Sequence, residues 1–299
     1  MKILLLGKNG QVGQALERAL GLLAGPGELV ALDRSNGGDL AQLDTLAATV
    51  RQLRPQVIVN AAAYTAVDKA ESEPEQTRLI NAQAPEVLAK EAQALGAWLV
   101  HYSTDYVFDG SGTRPWVETD ATAPLNVYGQ TKLEGERLIQ AHCTRHLIFR
   151  TSWVYAPHGS NFAKTMLKLA QERERLTVID DQWGTPTGAE LLATVTATTI
   201  EKTSLAGDDA LAGLYHLAAS GETNWHAYAS HVICQAKALR PDLPWAVQEI
   251  APVPSSAFVT AARRPHNSRL DTRKLQAALG INLPYWQLGV DAMLAKTLA

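Results

Sequence analysis

The chain has 299 residues, of which 46% are hydrophobic, and this is enough for one large domain or two smaller domains with real cores. Its formal net charge of −3 provides no basic surface for a polyanion, so nucleic acid is not an expected partner. The opening apolar run is too short to span a membrane and lacks a secretory cleavage pattern, which predicts a cytoplasmic protein without a membrane partner. Cys143 and Cys234 are not at metal-ligand spacing, and no metal site is predicted.

A glycine-rich loop follows the first predicted strand, residues 2–6, and leads directly into a helix. Gly7, Gly10 and Gly13 permit a tight turn and a close backbone approach, so the amides at the start of the helix would face a pyrophosphate. The spacing is GxxGxxG instead of GxGxxG, and the position between strand and helix is what makes it informative. The sequence therefore predicts a nucleotide site at this loop.

The second apolar run, residues 28–32, ends in Asp33, which lies 20 residues after Gly13. A carboxylate at this distance is suited to accept a ribose hydroxyl, although an acid that closes a strand is also a common turn residue. Arg34 and Lys8 could instead pair with the extra phosphate of NADPH. NADH and NADPH both stay open.

Strand and helix patterns alternate through the first half of the chain, with strands at 56–60, 97–103 and 146–151 and helices near 40–54 and 75–95. This alternation predicts an α/β fold with a Rossmann-type, doubly wound parallel sheet whose ligands bind beyond the carboxyl ends of the strands.

The second half is less regular, with helices near 161–171, 189–202 and 224–239, and it predicts a smaller α/β substrate-binding lobe. We expect residues 1–150 to form the dinucleotide-binding domain and residues 151–299 mainly the lobe, with interleaved segments. Residues 207–209 are predicted to form a surface turn.

Tyr128 and Lys132 lie four positions apart in a predicted helix, which brings both side chains to one helical face. An ammonium next to a phenol stabilises the phenolate, so Tyr128 is a candidate acid/base group and Lys132 its partner. Such a pair is also common on solvated helices, and only the surrounding motifs favour the chemical interpretation.

Two hydroxyl groups, Ser103 and Thr104, stand at the end of the strand predicted at 97–103. Because side chains alternate across a strand, only one of them can readily face the Tyr128 helix. A buried hydroxyl more often bonds nearby backbone, and periodicity alone does not choose between the two. Thr104 is favoured.

These motifs together resemble the extended short-chain dehydrogenase/reductase family over almost the whole chain. The resemblance rests on segments 7–13, 60–68, 103–110, 124–132, 150–155, 180–187 and 264–268. It implies reduction of the 4-keto group of a dTDP-linked 6-deoxy sugar, with catalytic residues Thr104, Tyr128 and Lys132 and with Asn81 as a support for the lysine. Tyr128 would supply the proton while the nicotinamide supplies hydride.

The resemblance also implies the binding residues. For NADPH or NADH they are Gly7, Gly10, Gln11, Val12, Gly13, Asp33, Arg34, Asp39, Leu40, Ala61, Ala62, Ala63, Tyr64, Thr65, Tyr102, Tyr128 and Lys132. For the dTDP-sugar they are Val67, Asp68, Thr104, Asp105, Trp153, Asn161, Trp183 and Arg264. Ordinary packing is the alternative for the alanines and aromatic residues, and solvation is the alternative for the arginine.

One position departs from the family. Ala15 stands where some of these reductases carry an acid that is used with magnesium at a dimer contact, and only Glu190 of that contact remains. A single carboxylate is a weak magnesium site, so magnesium and a metal-bridged dimer are doubtful, and a monomer and a homodimer both stay open.

Two other functions share the same sequence features. A nucleotide-sugar epimerase or dehydratase of this fold would retain its NAD and return the hydride to the sugar. A noncatalytic regulatory subunit would bind nucleotide without turnover, although intact Thr104, Tyr128 and Lys132 argue against it.

Overall fold

The computed structural model describes residues 1–205 and 209–299, so residues 207 and 208 of the predicted turn lie outside the described residues. The strands are β1 (Ile3–Leu6), β2 (Leu29–Leu32), β3 (Val57–Asn60), β4 (Trp98–Thr104), β5 (His146–Thr151), β6 (Val154–Tyr155), β7 (Arg175–Ile179), β8 (Trp183–Gly184), β9 (Thr187–Gly188), β10 (Gly213–His216), β11 (Thr223–Asn224) and β12 (Glu249–Val253). The α-helices are α1 (Gln11–Ala24), α2 (Leu43–Leu53), α3 (Val67–Ala70), α4 (Pro74–Arg78), α5 (Ala84–Leu95), α6 (Val127–His142), α7 (Phe162–Glu172), α8 (Ala189–Ile200), α9 (Trp225–Leu239), α10 (Arg273–Leu279) and α11 (Trp286–Leu298).

Short helical turns complete the chain. The π-helical turns are Leu79–Gln83 and Glu201–Leu205, and the 3-10 turns are Asp105–Val107, Asp209–Leu211 and Ser255–Ala257. The helix predicted near residues 75–95 is therefore three consecutive segments, with a π-helical turn between α4 and α5.

A six-stranded parallel sheet organises the fold, with the strand order β10-β5-β4-β3-β1-β2. The chain moves from β1 outward to β2 and then returns to the other side of β1 with β3, so the winding reverses between β1 and β3. In open α/β sheets this reversal opens a crevice beyond the carboxyl ends of the strands. The predicted doubly wound parallel sheet is confirmed.

Both faces of this sheet are covered, which explains why its strands have continuous apolar sequences. Ile3 and Leu5 pack into a core with α1 and α8, whereas Leu4 and Leu6 pack into a core with α2 and α5. All four side chains are completely buried. Alternation along the strands thus assigns one hydrophobic set to each layer of helices.

Another core lies among α7, α9 and α11, beside the two-stranded parallel pair of β7 and β12. Met166, Tyr228 and Met293 are among its buried members. This is the region in which a smaller lobe is predicted, but β10, from residues 213–216, joins the main sheet next to β5. The division of the chain near residue 150 stays a prediction.

Within residues 1–205 and 209–299, every helix falls short of the length or the apolarity that crossing a bilayer would need.

Candidate active site

A cleft of about 1080 Å³ opens at the carboxyl edge of the sheet. Most of the predicted site residues line it: Gly7, Gly10, Gln11, Val12, Asp33, Arg34, Ala61, Ala62, Ala63, Thr65, Val67, Tyr102, Thr104, Asp105, Tyr128, Lys132, Trp153 and Arg264. The predicted residues outside its lining are Gly13, Asp39, Leu40, Tyr64, Asp68, Asn161 and Trp183. The volume is at the upper end of the usual range for ligand pockets, as two large ligands side by side would require.

The glycine loop lies at one end of this cleft, after β1. Gly7 has a φ of +86°, and a Cβ at Gly13 would lie only 2.0 Å from the Gly7 carbonyl oxygen. Any side chain at position 13 would therefore push the first turn of α1 away from the loop. Gly10 is the N-cap of α1, and no side chain caps the helix, so its first amides stay open toward the cleft.

Asp33 follows β2 and is fixed by several donors. Its carboxylate accepts from Asn9 Nδ2 at 2.9 Å and from the Ser35 hydroxyl at 2.6 Å, and Lys8 Nζ lies 3.6 Å away. The hydrogen bonds from Ser35, followed by those from Asn9 and the charge of Lys8, lower the pKa of Asp33 to about 2. The next residue, Arg34, is exposed at the cleft. A carboxylate and two cations thus stand together where the adenosine ribose is predicted.

Four of the predicted cofactor residues have structural roles behind the cleft surface. Gly13 packs against Gly7, and the Asp39 carboxylate accepts from the Ala41 amide at 3.0 Å. Leu40 is buried in the core that contains α2. The Tyr64 hydroxyl donates to Glu73 at 2.6 Å. Their direct contact with a cofactor stays a prediction.

Tyr128 and Thr104 meet where β4 ends and α6 begins. Asn126 caps α6, with its side-chain oxygen accepting from the Gly129 amide at 2.8 Å. Burial, followed by the charge of the nearby Asp105, raises the pKa of Tyr128 to about 12, and the neighbouring Thr104 hydroxyl opposes this rise. The phenol therefore holds its proton at neutral pH and is placed to donate it.

Lys132 is one helical turn along from Tyr128 and is only 1% exposed. Its Nζ donates to the Tyr102 carbonyl oxygen at 2.5 Å and lies 3.0 Å from His101 Nε2. Burial lowers the pKa of Lys132 to about 8, against a smaller opposing effect of Glu136. The lysine is thus held from the β4 side, at the lining of the same cleft as Tyr128.

Two more polar groups lie beside Thr104. Asp105 is 2% exposed, and its Oδ1 accepts from the Thr104 hydroxyl at 3.1 Å, while its Oδ2 is buried without a hydrogen-bond partner. Burial raises the pKa of Asp105 to about 7, against hydrogen bonds from Ser268 and Thr104. Ser103 also reaches the cleft, with a buried and unpartnered hydroxyl, whereas Thr104 is the hydroxyl near enough to Tyr128 to lower its pKa.

Asn81 does not contact Lys132 in the described hydrogen bonds. Its side-chain oxygen accepts from the Tyr64 amide at 2.8 Å, and its Nδ2 donates to the Tyr64 carbonyl at 3.0 Å and to the Thr131 hydroxyl at 3.4 Å. Asn81 therefore fixes segment 61–65 against α6, and any support of the lysine is indirect.

Aromatic side chains form a further part of the cleft lining. Trp153 adopts a φ of +46°, a strained backbone conformation for a bulky residue, and its ring stacks on Trp225 with centroids 3.6 Å apart. Phe162 packs against Trp225 and lines the cleft as well. Trp153 is among the predicted site residues, whereas Trp225 and Phe162 are not, since nothing local in the sequence distinguishes those two from core aromatics.

The remaining predicted substrate residues differ in position. Arg264 lines the cleft and donates to Asp68 at 2.7 Å. Burial opposes ionisation of Asp68, but the Ala262 amide and Arg264 together lower the pKa of its carboxyl. Asn161 caps α7 and donates to Gln11 Oε1 at 2.9 Å. The Arg269 guanidinium lies over the Trp183 ring, 4.8 Å from its centre. Contacts of Asn161 and Trp183 with substrate stay predictions.

Ala15 and Glu190 stand at the position of the family's magnesium contact. Across the described parts of the chain, no group of three or more His, Cys, Asp or Glu residues could hold a metal. Ala15 is buried, and Glu190 forms ion pairs with Arg18 at 2.6 Å and with Lys296 at 3.7 Å. Two cations already compensate the remaining carboxylate, so this residue does not fit a magnesium ligand.

Comparisons with known proteins give a consistent result. A family model described as the RmlD substrate binding domain matches residues 1–299. The dTDP-4-dehydrorhamnose reductase of Escherichia coli K12 is 57% identical over 297 residues, covering 98% of this chain and 97% of the relative. A crystal structure of a dTDP-4-dehydrorhamnose reductase from Clostridium acetobutylicum has a TM-score of 0.89 at 32% identity, with complete coverage of both chains. That of the Bacillus anthracis enzyme in complex with NADP has a TM-score of 0.87 at 32% identity, covering 99% of this chain and 100% of the other.

Proposed function

We propose, because this chain belongs to the dTDP-4-dehydrorhamnose reductase family, that it reduces the 4-keto group of dTDP-4-dehydro-L-rhamnose with NADPH or NADH and yields dTDP-L-rhamnose. The observation that carries the proposal is the convergence of Thr104, Tyr128 and Lys132 on one cleft that begins at a glycine loop. A phenol that shares a cleft with a second hydroxyl and an amine suits proton donation to a ketone oxygen.

The residues at the glycine loop fit a dinucleotide. The open amides of α1 and the positive end of its dipole suit a diphosphate, and the small side chains of Ala61, Ala62 and Ala63 allow close approach of the cofactor. Asp33 suits the ribose hydroxyls of NADH, whereas Arg34 and the nearby lysine suit the extra phosphate of NADPH. When bound, the cofactor supplies the hydride.

Tyr128 acts as the general acid in this proposal. Hydride addition leaves negative charge on the former carbonyl oxygen, and the phenol gives that oxygen its proton. Thr104, which lies beside Tyr128, turns its hydroxyl hydrogen from Asp105 to the same oxygen and so stabilises the charge as it develops.

Lys132 has two functions. As an ammonium it favours the phenolate that forms when Tyr128 loses its proton, and it is close enough to the cleft to bind ribose hydroxyls. Deprotonation of the lysine therefore slows the reaction. Since burial lowers the pKa of Lys132 to about 8, the rate is expected to fall above that pH.

The aromatic part of the cleft supports a nucleotide-sugar substrate. The stacked Trp153 and Trp225 offer an aromatic face to sugar or base, and Asp105 and Val67 line the same cleft. Arg264, held by Asp68, is a cation suited to the diphosphate.

Incubation with dTDP-4-dehydrorhamnose and each dinucleotide, with the loss of absorbance and the product followed together, tests the proposal. We expect one NADPH or NADH to be consumed for each dTDP-L-rhamnose formed. A conversion without net loss of cofactor would indicate an epimerase or dehydratase, and cofactor binding without turnover would indicate a regulatory subunit. A monomer and a homodimer both stay open, and the cytoplasmic location stays a prediction.

A further inference from the structure

A series of buried, hydrogen-bonded polar groups leads from the interior of the sheet to Lys132. Asn60 and His101 are direct partners in the register of β3 and β4, and each is 1% exposed. Asn60 Nδ2 lies 3.2 Å from His101 Nδ1, and His101 Nε2 lies 3.0 Å from Lys132 Nζ. The Ala62 amide donates to Asn60 Oδ1 at 3.1 Å. Neither Asn60 nor His101 belongs to the predicted catalytic set.

The hydrogen atoms in the hydrogen bonds that link the Ala62 amide, Asn60, His101 and Lys132 have one consistent arrangement. The Ala62 amide can only donate, so Asn60 must present its oxygen to it and its NH₂ group to the imidazole. His101 Nδ1 must then accept, which leaves the single proton of a neutral ring on Nε2. That proton is directed at Lys132 Nζ.

A lysine that faces this N–H can accept it only through the lone pair of a neutral amine, while an amine hydrogen still donates to the Tyr102 carbonyl. The opposite arrangement, an ammonium donating to Nε2, would set the Nδ1–H of His101 against the NH₂ group of Asn60. Burial without a hydrogen-bond partner is costly for such groups, which disfavours that arrangement.

We propose that Asn60 and His101 are positioning residues for Lys132, and that their hydrogen bonds stabilise the lysine as a neutral, accepting amine. This lowers the pH at which the lysine loses its proton and so sets the upper limit of the active pH range. The pH consequence rests on the proposed function, whereas the arrangement of protons does not.

The charged groups near Lys132 do not supply the same effect. Glu136, on the same helix, favours the ammonium but is neutralised by Arg150 from β5, with oxygens 2.9 and 2.7 Å from the guanidinium. Tyr128 on α6 and Asp105 in the turn after β4 are the other titratable groups near this end of the helix. Burial itself disfavours the ammonium, and it also lowers the pKa of His101 well below its usual value, with Lys132 adding to the effect, so the ring stays neutral.

The first test is the tautomer of His101, read by ¹⁵N NMR of the histidine-labelled protein without substrate and assigned through His101→Gln. Above the Lys132 pKa of about 8, where the amine is neutral, we expect a proton on Nε2 in the wild type and its transfer to Nδ1 in Asn60→Asp, where a carboxylate replaces the donating amide. A wild-type proton on Nδ1 would overturn the proposal, whether or not the protein reduces the keto-sugar.

The second test is the pH profile of kcat for His101→Gln. The glutamine amide oxygen can accept from an ammonium without adding charge, so the basic limb is expected to move up by about one pH unit, a tenfold gain in activity well above the limb. The control is His216→Gln, which alters a completely buried histidine of the same sheet whose Nδ1 donates to the Trp116 carbonyl. Its basic limb should coincide with that of the wild type. An unmoved limb in folded His101→Gln, or the same movement in the control, would refute the proposal, and if neither variant folds the wild-type tautomer decides.

Discussion

Replacing Tyr128 by phenylalanine removes one hydroxyl from the site and leaves the ring in place. The ring packs edge-on against Tyr106 with centroids 5.7 Å apart, and phenylalanine can keep this contact. The hydroxyl that is lost lies beside Thr104 and is the proposed proton donor. General acid help contributes about 100-fold to 10,000-fold, so we expect kcat to fall by that factor, or by about 3–5 kcal/mol of barrier height.

Stopped-flow and steady-state assays with the keto-sugar measure the fall in kcat. The cofactor affinity, measured by fluorescence titration, should stay within about twofold of the wild type because the variant keeps Lys132 and the glycine loop. Tyr215→Phe is the matched control. It also removes one buried hydroxyl, which donates to the Leu211 carbonyl at 3.0 Å and lies outside the cleft lining. A folded Tyr128→Phe enzyme with kcat within about tenfold of the wild type would refute the assignment of the general acid.

Three further predictions concern the support of the site. Glu136→Gln leaves the buried Arg150 charge without its partner and should cost about 3–5 kcal/mol in denaturant unfolding, and a loss below about 1 kcal/mol would contradict the burial argument. Gly13→Ala should weaken cofactor binding at least about tenfold, because the added Cβ meets a carbonyl oxygen at 2.0 Å, whereas Gly21→Ala on the same helix, with its closest neighbour at 3.8 Å, should bind normally. Asp105→Asn should gain stability relative to the wild type as the pH rises from about 4 to about 7, because only the unfolded Asp105 carboxyl ionises over that range and the free energy of unfolding of the wild type falls. The same difference in unfolding midpoint between the two proteins at about pH 5 and at about pH 8 would contradict this prediction.

The parts of the fold that sequence reasoning predicted depend on local patterns. The continuous apolar run of β1 and the glycines after it indicate a buried parallel strand and a nucleotide loop without any long-range information. The four-residue spacing of Tyr128 and Lys132 likewise determines a shared helix face. Because parallel strands end at one edge of a sheet, strand-end residues such as Thr104 were expected to gather there, and they do.

The parts that it missed depend on register and on distant packing. Asn60 and His101 are partners only because β3 and β4 pair in one particular register, which their own sequences do not reveal. Trp225 reaches Trp153 from a helix far along the chain. Asn161 also caps α7, a role that is typical of an asparagine directly before an apolar helix and for which the sequence carries the signal.

Strand β10, which completes the six-stranded sheet, comes late in the sequence, and this has a consequence for folding during synthesis. Because β10 comes from residues 213–216, the edge of β5 stays unpaired on the ribosome until more than two thirds of the chain has emerged. An exposed edge invites pairing with a neighbouring polypeptide. A nascent chain stalled before residue 213 is therefore expected to need chaperone protection, and one stalled with β10 outside the exit tunnel can complete its sheet.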